Sequence, residues 1–134
     1  MTEQLAAALA AEEAAIYAYG IIGVKAGQET EARAAEQIHR QRRDYLVAKL
    51  EHAQTSPAGY EMPFPVTDRA TALKLAVQVE DGVAQAWRPV LAVTTGDERT
   101  NALAAMTDAA VRATRWRRLA AMSPVTMAFP GRAK

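Results

Sequence analysis

Apolar residues recur along the chain at alternating steps of three and four, which is the spacing of a helix with one buried face. The first segment shows the pattern most clearly, because Leu5, Leu9, Ile16 and Tyr19 share one stripe that has Glu12 in its middle. Comparable stripes occur in two later segments, and a fourth segment is helical in character but too rich in alanine for its buried face to be assigned. The pattern predicts four amphipathic helices and an all-α fold.

Capping and helix-breaking residues set the limits of these helices. We predict a first helix from Thr2 to about Ala26, a second from Thr30 to about Ala53, a third from Thr67 or Asp68 to about Thr94, and a fourth capped by Asp97 that reaches about Met122. Between the second and third helices, residues 55–67 contain several prolines and a glycine and predict a long non-helical connection.

Two short turns and one long middle connection predict the topology. They make two helical hairpins joined by a crossover loop, which is the ferritin-like arrangement of a four-helix bundle. We expect a single domain over residues 1–134. Inside the third helix, Pro89 cannot donate a hydrogen bond to residue 85 and therefore predicts a kink or local unwinding.

Composition narrows the class of protein. Of the 134 residues 31 are alanine and only 6% are aromatic, which favours closely packed helices over a β-sandwich. The absence of cysteine excludes disulfides and thiolate metal sites. With 16 basic and 15 acidic residues the chain has no field typical of a nucleic-acid binder. We find neither a signal peptide nor a stretch approaching a membrane span, and expect a cytoplasmic protein without a membrane partner.

The predicted core contains charged residues. Glu12 and Glu80 lie within the apolar stripes of the first and third helices, and His39 and Arg43 lie on that of the second. On the fourth helix, Asp108 and Arg112 share a face. A carboxylate in a bundle core must be paired, protonated or bound to a metal, because burying it alone costs too much free energy.

A metal centre is one interpretation of this set. Di-iron carboxylate bundles combine lone glutamates with Glu-x-x-His motifs. Glu36 and His39 form such a motif, Glu12 and Glu80 are the lone glutamates, and Asp108 could serve on the fourth helix. These five residues would be the ligands of a di-iron or di-manganese site.

Axial levels favour ion pairs instead. If the first turn is centred between residues 28 and 29, Glu12 and His39 lie six residues apart in level, or ~9 Å, which a dinuclear site cannot bridge. Glu12 then faces Arg43, and by the same argument Glu80 faces Arg112. We therefore predict two internal Glu–Arg pairs where the metals would lie, and keep the metal centre as the alternative. Tyr19, His39 and Trp87 are a candidate small-ligand pocket.

Five segments carry a family resemblance: AEEAAIYAYG (11–20), HRQRRD (39–44), PFPVTD (63–68), EDGVAQAWR (80–88) and PVTMAFPG (124–131). In these the chain resembles an actinobacterial ferritin-like family classed as a domain of unknown function. The resemblance implies a cytoplasmic, dimeric ferritin-like bundle with no established activity. Glu13 stands where a histidine often follows the first glutamate in that family, so one potential metal ligand is missing.

We therefore carry three hypotheses of function. The first is a metal-free domain whose buried Glu–Arg pairs fix the bundle and whose outer faces mediate self-association as a homodimer. The alternative is a di-iron or di-manganese carboxylate oxidase, similar to a ferroxidase. The third is a small-molecule binding module that uses the pocket around the central charges.

Overall fold

Four helices make up most of the described chain: α1 (Thr2–Lys25), α2 (Glu29–Leu50), α3 (Arg69–Ala92) and α4 (Gly96–Leu119). The computed structural model describes residues 1–51 and 59–133, and within those ranges there is no strand. The predicted all-α four-helix fold is confirmed. Short turns join α1 to α2 and α3 to α4, whereas residues 51–68 make the long connection between the two hairpins.

The helix limits lie within a few residues of the predicted ones. Asp68 caps α3, since its side chain accepts a hydrogen bond from the backbone of Thr71, whose hydroxyl accepts one from the Asp68 backbone in return. The second helix stops earlier than predicted, because Glu51 adopts the left-handed conformation with φ of 58°. The predicted end at Ala53 lies outside the described residues, as does Pro57 of the loop.

Two apolar clusters fill the bundle. α1 packs against α2 and α3, and α3 packs against α4. One cluster contains Leu9, Leu46 and Trp87, and the other contains Ile22 and Trp116. Many of the buried positions are alanines, and their short side chains let neighbouring helices approach closely.

The helix α1 corrects one expectation. By length and composition, Thr2–Lys25 is apolar enough to cross a membrane, whereas we found no stretch approaching a membrane span in the sequence. In the bundle its apolar side chains Leu5, Leu9 and Ile22 are buried among the other helices. In this fold, the apolar side chains of α1 therefore pack in the core of the bundle.

A second correction concerns Pro89. α3 runs through it without a break to Ala92, so the predicted local unwinding does not occur. Pro89 is on the exposed side of the helix. There, solvent can hydrogen-bond the Gln85 carbonyl that proline leaves without a donor, which reduces the cost of the missing hydrogen bond.

The C-terminal segment folds back over α3 and α4. Gly131 is buried with φ of +79°, and Arg88 donates a hydrogen bond to the Pro130 carbonyl at 3.1 Å. A Cβ atom at position 131 would lie only 2.9 Å from the Ala84 carbonyl oxygen. Gly131 is therefore required both for its backbone conformation and for close approach to α3.

We expect Gly131→Ala to lower the free energy of unfolding by about 1–3 kcal/mol, because the side chain is strained at this φ and collides with backbone. Gly82→Ala is the matched control, since an added Cβ there meets no atom within 4 Å. It should be neutral or raise stability by up to about 1 kcal/mol, as alanine is the better helix former. Urea denaturation measures both. Equal effects of the two substitutions would contradict this account of the C-terminal segment.

Candidate functional site

His39 lies at the centre of the bundle between two carboxylates from different helices. Its Nδ1 is 2.5 Å from Glu12 Oε2, and its Nε2 is 2.8 Å from Glu80 Oε2. All three side chains are at most 1% exposed. Each ring nitrogen of His39 thus has a carboxylate oxygen as its partner, and an imidazolium, which donates from both nitrogens, satisfies both contacts. The arrangement therefore holds His39 as an imidazolium cation that joins α1, α2 and α3.

The protonation state of His39 follows from opposing effects. Burial lowers the pKa of His39, but the hydrogen bonds to Glu12 and Glu80, together with their charges, raise it more, to about 9. Histidine is consequently charged at neutral pH even though it is almost inaccessible to water. A buried cation of this kind is tolerated only because two counter-charges contact it directly.

Further donors satisfy the other carboxylate oxygens. Trp87 Nε1 donates to Glu12 Oε1 at 2.8 Å, and Arg112 Nη1 donates to Glu80 Oε1 at 3.3 Å. The Tyr19 hydroxyl also donates to Glu80 and in turn accepts from Trp116 Nε1 at 2.9 Å. Burial, reinforced by the charge of Glu80, raises the pKa of Tyr19 well above its usual value, so this hydroxyl stays protonated.

Arg112 connects the centre to the surface. Its Nη2 donates to Asp108 at 2.8 Å, and Arg42 on α2 lies 3.8 Å from the same carboxylate. Burial lowers the pKa of Arg112, but the charges of Glu80 and Asp108 raise it more, and the net change is upward. We call the five residues Glu12, His39, Glu80, Arg112 and Asp108 the charge network. Within it acids and bases alternate, so each charge has an opposite one beside it.

Of the two predicted Glu–Arg pairs, the structure contains one. Glu80 and Arg112 are in contact, as the level argument expects. The predicted pairing of Glu12 with Arg43 is wrong, because Arg43 lies near the surface and its guanidinium is 3.0 Å from Asp44. His39 occupies the place assigned to Arg43.

The position of the first turn explains this correction. α1 ends at Lys25 and α2 begins at Glu29, so the turn is centred on residue 27 and not between 28 and 29. The axial offset between Glu12 and His39 then falls from six residues to three, or ~4.5 Å. Glutamate and histidine side chains are long enough to cover that distance, which makes the hydrogen bond possible.

The predicted metal ligands do not all meet. Glu12, His39 and Glu80 converge, whereas Glu36 lies near the surface at 3.6 Å from Arg40, and Asp108 is held by Arg112. Among residues 1–51 and 59–133, no group of three or more His, Asp or Glu side chains has an arrangement suited to a metal ion. Metal binding needs a free nitrogen lone pair on histidine, and both nitrogens of His39 are engaged as donors. The donor set as arranged does not fit a di-metal centre.

The candidate ligand pocket is closed by its own residues. Tyr19, His39 and Trp87 are each at most 2% exposed, and the rings of Tyr19 and His39 stack at a centroid distance of 5.6 Å. Their polar atoms already have hydrogen-bond partners within the bundle. Tyr19 borders a cavity of about 410 Å³ between α1 and α2, and another of about 230 Å³ lies between α4 and the C-terminal segment.

Sequence reasoning missed two members of the buried polar set. Trp116 supports Tyr19, and Arg117, at 7% exposure, pairs with Asp81 across α3 and α4. In the sequence, Arg117 belongs to a cluster of basic residues with Arg112, Arg115 and Arg118 near the end of α4. Two of those four arginines point inward, which removes half of the apparent basic patch. The helical spacing of the sequence could have identified the two buried arginines, because residues 109, 112, 113, 116 and 117 share the buried face of α4.

Comparison with known proteins places the chain in a group without an assigned activity. A family model described as a domain of unknown function, DUF4439, matches residues 4–134. The crystal structure of a conserved hypothetical protein from Mycobacterium tuberculosis is 40% identical, with a TM-score of 0.83, and the match covers 87% of this chain and 94% of that one. No curated protein matches.

Proposed function

Because the chain belongs to the family of the DUF4439 domain of unknown function, we propose a function from the geometry of the chain itself. The domain is a metal-free, self-associating interaction module of ferritin-like architecture. Its charge network takes the place that metal ions hold in a ferritin-like bundle, and its outer helix faces make the contacts with other molecules.

One observation carries the metal-free part of this proposal. His39 donates hydrogen bonds to Glu12 and Glu80 from both ring nitrogens, so the most suitable metal ligand in the bundle is used as a cation. Arg112 adds a second positive charge at 3.3 Å from Glu80. A divalent ion placed here would have to displace both cations before any carboxylate became available. The internal ion pairs support a structural role for the centre.

The alternative of a di-iron or di-manganese oxidase has one observation in its favour. Three of its five candidate ligands, Glu12, His39 and Glu80, come together from three different helices. The other two candidates, Glu36 and Asp108, are paired with arginines instead. The alternative therefore requires rearrangement of side chains throughout the charge network.

Metal analysis tests the choice between these functions. We expect protein refolded with excess ferrous iron or manganese, and then desalted, to retain well under one ion per chain and to oxidise no iron in air. The matched control is His39→Ala, which should differ from the wild type in stability and not in metal content. Two ions per chain in the wild type, lost in His39→Ala together with iron oxidation, would establish the oxidase instead.

Self-association is supported by apolar side chains that the bundle leaves outside. Leu103 and Val111 on α4 are 50% and 45% exposed, and Phe129 in the C-terminal segment is 60% exposed. Leu103 and Val111 lie on one helix, and Phe129 adjoins Pro130, which lines a cavity with that helix, whereas the charge network and the candidate pocket are enclosed. Apolar side chains that stay exposed on one helix are available for contact with another protein.

A further inference from the structure

The outward face of α4 has its own regular seam. Successive steps of three and four residues connect seven positions, namely Asp97, Thr100, Ala104, Thr107, Val111, Thr114 and Arg118. All seven are exposed except Thr114, which is half-buried, whereas the inward face of the same helix buries a separate set. Alternation of three and four is the spacing that lets one helix pack lengthwise against another.

Charge along this seam is confined to its two ends. Asp97 begins it, Arg118 ends it, and the five positions between them are small or β-branched and uncharged. Neither Asp97 nor Arg118 has an ion pair among the described residues. An uncharged middle with opposite charges at the ends is complementary to itself when it is turned end over end.

We infer that α4 is the interface of a two-fold homodimer, in which it packs antiparallel against α4 of a second copy. In a two-fold contact, each pair of residues occurs twice with the roles exchanged. A centre between residues 107 and 108 sets Asp97 opposite Arg118 of the second copy, and Ala104 opposite its Val111. The charges at both ends of the seam, on Asp97 and Arg118, are thereby paired. The inference rests on the self-association proposed above and specifies its surface.

A groove beside the seam suits the same arrangement. The cavity of about 230 Å³ lies between α4 and the C-terminal segment, and its wall includes Met106, Val111 and Met127. With the pairing given above, Leu103 of the second copy falls opposite position 112, one residue beyond Val111. Leu103 is half exposed in the single chain and gains an apolar site in the dimer. The two-fold relation gives each groove one such leucine.

Charge reversal tests the register of this interface. We expect light scattering coupled to gel filtration to give a dimeric mass for the wild type. Asp97→Arg and Arg118→Asp should each weaken association at least about tenfold, because each brings like charges together twice in the dimer. The double variant Asp97→Arg with Arg118→Asp should recover the affinity of the wild type. Both changes oppose the α4 dipole, so improved helix stability cannot account for a recovery.

Substitutions in apolar positions provide the matched comparison. Val111→Asp should abolish the dimer, whereas Val24→Asp on α1, at 78% exposure, should leave it intact. Circular dichroism of each variant identifies any that fail to fold. A wild type that is monomeric at all concentrations would overturn both self-association and the interface. A dimer that persists in Val111→Asp and in both single charge reversals would overturn the α4 interface alone.

Discussion

Glu80→Gln is expected to lower the free energy of unfolding by about 3–5 kcal/mol, the range found when one partner of a buried ion pair is removed. Glu80 contacts His39 at 2.8 Å and Arg112 at 3.3 Å, and accepts a hydrogen bond from Tyr19. Glutamine keeps the size of the side chain but loses the charge. The cost therefore arises from leaving His39 and Arg112 in the core with too little counter-charge, and not from a cavity.

The surface pair of α2 and α4 provides the control for this measurement. Glu98 is 3.4 Å from Lys49, and both side chains are about 40% exposed, at 39% and 41%. Glu98→Gln makes the same chemical change in water, where an ion pair contributes about 0–1 kcal/mol. Equilibrium denaturation of both variants gives the comparison. A loss in Glu80→Gln no larger than that in Glu98→Gln would show that the charge network does not stabilise the fold.

Stability is also expected to fall by about 3 kcal/mol as the pH rises from about 6.5 to about 9. The pKa of His39 is raised to about 9 in the folded protein, against 6.5 for an ordinary histidine. The folded state therefore binds more protons than the unfolded state between these values. The contribution of protonated His39 to the free energy of unfolding is complete below pH 6.5 and is lost as the pH rises through the folded-state pKa of His39.

Two other groups near His39 have pKa values above this pH window, so the change in stability within it is assigned to His39. Tyr19, which stacks on the ring, has its pKa raised well above 10, and that of Arg112, on the far side of Glu80, is raised from an already high value. We expect His39→Gln to remove most of the pH dependence and His52→Gln, at the only other histidine of the chain, to retain it. Unfolding free energies measured across the window decide the question. An unchanged slope in His39→Gln would mean that the imidazolium is not the source.

Sequence patterning predicted the helices well because helix formation depends on local information. The spacing of Leu5, Leu9, Glu12 and Ile16 defines a buried stripe whatever the partner helix is, and Asp68 caps α3 through a hydrogen bond only three residues away. Family resemblance to a domain of unknown function is likewise confirmed over residues 4–134. Two helix limits were predicted wrongly: α2 ends early at a left-handed Glu51, and Asp97 does not cap α4, which begins at Gly96 with Thr95 as its N-cap.

The pairing of residues within the charge network could not be predicted from the sequence pattern alone. From sequence alone, Glu12, His39 and Glu80 could be placed on core-facing stripes and Arg112 at the axial level of Glu80, and an internal balance of acids and bases followed. Which acid meets which base depends on the axial level of each helix, and a shift of the first turn by about one and a half residues moves Glu12 from Arg43 to His39. Pairing is thus decided by ångström-scale distances between helices, which periodicity does not encode. Tertiary packing alone made His39 a buried cation between two glutamates.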